Sequence, residues 1–351
     1  MKAATLRDET LAALQALAWD QWSQLGVSAA APKHREERAV DPEALLVFTL
    51  EIGRGDPRLF DEVLDWLALN EPLISVHRLR NLCTGPADRA LVDAALAWTA
   101  RERRRERLMA TESTTKHAEL EALFPSLPTP TTDLDPAFSG HGLARARLTR
   151  SGKSQPPRLH DPICFALRLR RLLGVGVRAE VIRTLLTIRA PRISGRVITP
   201  SAAFAQRNVR EGLNQLHEAG VITTVDVADD RHYSIHHRDW AALLGLPSAS
   251  AIPLHYDWIP ALRALTQVAR WLQQPGLDEL TPYVRASQAR TLVAAIDADL
   301  RYAGVPTSAY AARGADFWDE FVEIVRATVR HASGPPACER PRLTDQLATG
   351  P

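Results

Sequence analysis

The chain has 351 residues and a mass of 38.7 kDa, enough for two or three domains with a sizeable core. It is 45% hydrophobic and 24% charged, as folded soluble proteins are, and its net charge of +2 does not by itself imply nucleic acid, because an electrostatic footprint is a patch rather than a total. Three dispersed cysteines (Cys83, Cys164 and Cys338) exclude a readable disulfide framework, and no apolar run approaches the ~18 residues that span a bilayer.

The first 110 residues read as helices. Residues 10–26 carry apolar side chains at helical spacing and stop at Gly26; the N-terminus lacks the apolar run of a signal peptide. Asp41 and Pro42 form an N-cap and first helical position for 43–53, and Asp56 and Pro57 repeat that signal before 58–70. In 58–70, Leu59, Val63, Leu64 and Leu67 share one face. Ser75 caps a fourth helix over 75–83, and a fifth covers 87–110, with the basic stretch 101–107 as its solvated end.

Residues 111–160 are rich in Pro, Ser and Thr without a sustained period, which reads as a linker or a draped loop. Arg145, Arg147, Arg150, Lys153 and Arg158 fall there with no acidic residue among them, a solvated basic stretch or a phosphate-contacting arm.

Order returns with helices at 162–174 and 177–188, the second burying Val181, Leu185 and Leu186. Between them, Gly174–Ala179 fits Gly-x-Gly-x-x-Ala, but a basic amphipathic helix precedes it and Thr199 stands where a dinucleotide site needs an acid, so it reads as a turn. Ser194 can cap a short helix through Ile198 and Thr199, a turn follows at Ala203, Phe204 and Ala205, and 207–222 ("RNVREGLNQLHEAGVI") is amphipathic. Val209, Leu213 and Leu216 make its inward stripe and Gly220 ends it. Strand-like runs at 221–227 and 232–235 flank a turn at 228–231. Helices at 257–274, 285–304 and 315–332 precede a tail expected to be disordered.

Helix, turn, helix, glycine, strand, turn, strand over residues 176–236 resembles the winged helix-turn-helix domain of bacterial transcriptional regulators. Ile198 and Phe204, eleven and five residues before Val209, match its spacing, and "LNQLHEAGVI" is similar to its usual exit from the DNA-reading helix. Thr199 stands where Ala is usual and Ala203 where Gly is usual. Pro200 departs further, since it removes a backbone hydrogen bond unless the supporting helix ends early.

The resemblance implies a reading helix in the major groove of double-stranded DNA, with Arg207, Asn208, Arg210 and Asn214 at base edges, where Arg suits guanine and Asn suits adenine. Arg231 in the wing turn and Arg196 complete the candidate DNA-binding set, while Asp229 and Asp230 oppose phosphate approach. Residues 161–247 hold twelve arginines against eight acidic residues, a net of +4 and twice that of the whole chain. His232, His236, His237 and Asp239 read as surface rather than as a metal site.

The expected fold is therefore mainly α: a helical N-terminal domain (1–110), a Pro/Ser/Thr-rich and basic linker (111–160), a winged helix-turn-helix with a small two-stranded β wing (161–247), a helical C-terminal domain (253–333) and a disordered tail (334–351). The expected function is a cytoplasmic, sequence-specific transcriptional regulator, homodimeric on a pseudo-palindromic site, with no enzymatic motif, cofactor, metal or membrane contact. The alternative is a protein-interaction module, such as an antitoxin or accessory subunit of a phage-defence or toxin–antitoxin system, with a protein partner.

Overall fold

The computed structural model describes residues 1–32, 36–105, 120–227, 230–305 and 312–334. Asp229, Cys338, residues 111–119 of the expected linker and 335–351 of the expected tail lie outside them. Among the described residues the chain is mainly helical, as its periodicity predicts, with a small antiparallel sheet of three strands. The helices α1 (Ala3–Gln24), α2 (Pro42–Ile52), α3 (Pro57–Asn70), α4 (Val76–Leu82) and α5 (Pro86–Arg105) lead to β1 (Glu121–Ala122), α6 (Pro136–Ser139) and β2 (Leu143–Ala144). Then come α7 (Phe165–Leu173), α8 (Val177–Thr187), β3 (Ile193–Ser194), α9 (Gly195–Ala202), α10 (Gln206–Glu218), β4 (Thr223–Val227), β5 (Asp230–Ser234) and α11 (His237–Leu243). The last helices are α12 (Trp258–Leu272), α13 (Pro282–Tyr302) and α14 (Phe317–Ser333).

These elements form two compact units, one of Met1–Arg35, Asp41–Arg158 and Asp257–Ser333, the other built on Glu36–Val40 and Leu159–Tyr256. In the first, the helix starts are fixed by local chemistry. Asp41 accepts from the Ala44 amide at 3.0 Å, Asp56 from Leu59 at 3.1 Å and Ser75 from Arg78 at 3.3 Å, each satisfying an otherwise unpaired amide of the first turn. Gly26 closes α1 with φ +104°, and a Cβ there would fall 2.4 Å from the Gln155 carbonyl oxygen, so only glycine fits.

Long-range contacts hold the rest of this unit. Arg270 on α12 donates to Glu51 on α2 at 2.9 and 3.0 Å, and also to Asp88 on α5. Trp271 on α12 meets Phe321 on α14 edge-on at 5.2 Å within a core that also takes Ala3 and Leu6 of α1. The basic stretch after α6 is tied down rather than free: Arg145 donates to Asp61 at 2.8 Å, Arg150 to Asp65 at 3.2 Å, and the Gly152 and Ser154 amides both reach Asp65 at 3.1 Å. Arg147 pairs with Asp133. Residues 145–154 are thus draped along acids of α3, and Arg145, Arg147 and Arg150 each have a carboxylate partner.

The second unit has its own core. Val181, Ile182 and Leu185 of α8, Ile198 and Ala202 of α9, and Val209, Leu213 and Leu216 of α10 pack with Phe165, Leu169, Tyr233 and Ile235. The sheet order is β3-β5-β4; β5 pairs antiparallel with both neighbours, Tyr233 opposite Ile193 and Arg231 opposite Asp226. The sheet therefore has three strands where the sequence predicts two, the third being a two-residue segment too short to show alternation.

Candidate nucleic-acid interface

Helix α9 starts behind Ser194, whose side chain makes no capping hydrogen bond, contrary to the cap expected there, and it contains Pro200 near its C-terminal end. Pro200 has no amide hydrogen for the carbonyl four residues back, and α9 ends two residues later at Ala202. Ala203 then takes a left-handed conformation, φ +53° and ψ +38°, the turn geometry in which glycine is more comfortable. Three residues, 203–205, separate α9 from α10.

At its far end α10 closes as the sequence predicts. The Gly220 amide donates to the His217 carbonyl at 2.9 Å and the Val221 amide to Leu216 at 2.9 Å, with Gly220 at φ +70°. This paired capping requires a left-handed residue at Gly220. In the middle of the helix, Gly212 lets α8 approach: a Cβ there would lie 3.1 Å from Val177 Cγ1.

A buried charge cluster braces the helices. Glu180 on α8 accepts from Arg170 on α7 at 2.7 and 2.9 Å and from Arg183 at 2.8 Å, and Arg183 also donates to the Ser201 carbonyl at 2.9 Å. Glu180 is the one carboxylate between Pro162 and Arg210, a stretch that carries ten arginines. Seven of those arginines, at 171, 178, 189, 192, 196, 207 and 210, are exposed. Since Glu180 is consumed internally, residues 162–210 contribute exposed positive groups and no exposed carboxylate to this surface, and Glu211 is the first acid that follows them.

The six sequence-predicted residues separate into two groups. Arg207, Asn208, Arg210 and Asn214 are exposed on α10, opposite buried Val209, Leu213 and Leu216, and their side chains have no hydrogen-bond or ion-pair partner among the described residues. Arg231 lies on β5 rather than in the wing turn and pairs across the hairpin with Asp226 at 3.1 Å. Arg196, at the start of α9, lies 3.8 Å from Asp230. The wing arginine and Arg196 thus each have a carboxylate beside them, which diminishes their attraction for phosphate.

Two residues outside the sequence-predicted set also belong to this face. Glu211 and Gln215 are exposed on α10 and, with Asn208, Gly212, Phe204 and Val177, line a recess beside the start of α8. Helical spacing from Asn208 was the signal that could have found them.

Comparison with protein-family models, with characterised proteins and with solved structures finds no match to this chain.

Proposed function

We propose that the second unit is a winged helix-turn-helix that binds double-stranded DNA, and that the chain is a sequence-specific transcriptional regulator reading the major groove with α10. The observation that carries this reading is the state of Arg207, Asn208, Arg210 and Asn214: exposed, without a hydrogen-bond or ion-pair partner among the described residues, on a helix whose other face is locked into the core. Guanidinium and amide groups in this condition break no internal contact when they meet a base edge, and a good bidentate pair discriminates against the wrong base by about 1–3 kcal/mol.

The element order α8, β3, α9, α10, β4, β5 supports the same reading, as does the absence of exposed acids over 162–210. Glu180 and its two arginines tie α7, α8 and the end of α9 together, and the apolar packing of α10 in the same core presents the reading face preformed. The helices of the other unit are assigned dimerisation or signal reception, two copies placing two reading helices on a pseudo-palindromic site.

The test is a titration of the full chain on its own upstream DNA and on a scrambled duplex, repeated across salt concentrations. Binding that weakens steeply with salt and prefers the upstream duplex is expected. Absence of binding at low salt, or binding that ignores salt, overturns the reading. Co-purification of a stoichiometric protein partner with no DNA retained favours the interaction-module alternative.

A further inference from the structure

We infer that Glu211 is a specificity-determining residue of α10, a carboxylate that tolerates the groove only where a base offers it an amino group, cytosine N4 first. The inference rests on the DNA-binding reading of this helix.

Glu211 follows Arg207 by four residues and precedes Asn214 by three, so all three share the exposed stripe. It differs from the other acids nearby. Asp226 and Asp230 each have an arginine beside them, and Glu218 sits in the last turn of α10, away from the end that enters a groove. Among the described residues no cation lies within ion-pair distance of Glu211. Its carboxylate accepts one long hydrogen bond, 3.4 Å, from the Gln215 amide, and no basic side chain lines the recess it borders.

An unneutralised carboxylate brought against DNA loses water and meets a negative backbone, so it weakens binding to an arbitrary sequence. The base edges decide whether that cost is offset. Guanine O6 and N7 and thymine O4 are acceptors and repel it, whereas cytosine N4 is a donor it accepts from. Adenine also has a donor, at N6, but beside the N7 acceptor, a pattern that suits the neighbouring amides of Asn208 and Gln215 better. Glu211 thus acts mainly by rejection, as specificity commonly requires.

The experiment selects binding sites from a randomised duplex library with the full wild-type chain, Glu211→Gln and Arg207→Ala. The expected result is one position fixed as a C·G pair by the wild type, with preference there falling about 5- to 150-fold in Glu211→Gln. Affinity of Glu211→Gln for scrambled DNA should rise, and Arg207→Ala should relax a different position. An unchanged base profile in Glu211→Gln, with affinity raised alike for every sequence, overturns the inference while leaving DNA binding intact. A wild type that retains no duplex at all overturns the DNA-binding reading itself, and the inference with it. Gln keeps the helix propensity of Glu at an exposed site, so folding is not the variable.

Discussion

Arg183 donates from Nη2 to the carbonyl oxygen of Ser201 at 2.9 Å, so a side chain of α8 satisfies a carbonyl in the last turn of α9. The last carbonyls of a helix have no partner within it, and α9 is only eight residues long. Glu180 orients that guanidinium and shares its charge with Arg170. The position of the supporting helix therefore depends on a buried ion cluster as well as on apolar packing.

Removing Glu180 takes away the carboxylate that the buried Arg170 and Arg183 share. Glu180→Ala should destabilise the protein by about 3–5 kcal/mol, with Glu180→Gln between it and the wild type. Urea denaturation followed by far-ultraviolet circular dichroism measures this, and a loss below about 1 kcal/mol would show the cluster to be dispensable.

Ala203 carries left-handed backbone at a non-glycine residue. That conformation costs an L-residue about 1–2 kcal/mol, while glycine adds about 0.5–1 kcal/mol of unfolded-state entropy. Ala203→Gly should accordingly stabilise by roughly 0.5–1 kcal/mol. A lower thermal midpoint for this variant would contradict the strain argument.

At Gly212 the approach of α8 leaves no room for a branched side chain, since even a Cβ would sit 3.1 Å from Val177. Gly212→Val should cost about 1–3 kcal/mol through overpacking. Adding Val177→Ala should recover part of the loss, because the two sites are in contact and their effects do not add. Strict additivity in the double-mutant cycle would mean that another contact sets the helix spacing.

The two arginine classes should separate on DNA. Arg207→Ala and Asn214→Ala are expected to blur base preference by about 1–3 kcal/mol at their own positions, more than they reduce binding to scrambled DNA. Arg231→Ala should leave the salt slope unchanged, because Asp226 already neutralises that guanidinium. A slope lowered by about one unit in Arg231→Ala would place the wing on a phosphate.

Acid should loosen the first unit through Asp135 and Asp65. Burial acts to raise the Asp135 carboxyl, but hydrogen bonds from Arg101 and from the Leu148 and Ala137 amides outweigh it and leave it lower than an ordinary carboxylate. At Asp65, burial is likewise outweighed by the Ser154 and Gly152 amides and by Arg150. A pKa lowered by folding contributes stability that is complete above the unfolded value near 4 and disappears as pH falls through the folded one. Asp135→Asn should therefore be less stable than wild type at pH 7, with the gap closing below about pH 4. A gap constant with pH would show that the carboxylate's charge is not what matters.

Much of the local order was legible beforehand. The caps at Asp41, Asp56 and Ser75, the stop at Gly26, the stripe of Val209, Leu213 and Leu216 and the closure at Gly220 all follow from residues within a few positions of one another. The strand pattern predicts two strands with Arg231 in the turn between them, whereas the sheet has three and Arg231 lies on β5, because a two-residue strand such as β3 has no period and exists only through its pairing with β5.

The sequence by itself determined the longer helical segments, though not the short α6 and α11, together with which face of α10 turns inward and where arginine and asparagine are offered outward, since propensity, capping and periodicity are short-range effects. Only the tertiary structure decided which charges remain available. Arg270 finds Glu51 219 residues away, Arg145 finds Asp61 84 residues away, and Arg196 finds Asp230 on β5, while Arg207 and Arg210 find no carboxylate among the described residues. An arginine is the same letter in each case; whether its charge is spent internally depends on which distant carboxylate folding brings within about 4 Å, and Coulomb attraction acts through space rather than along the chain.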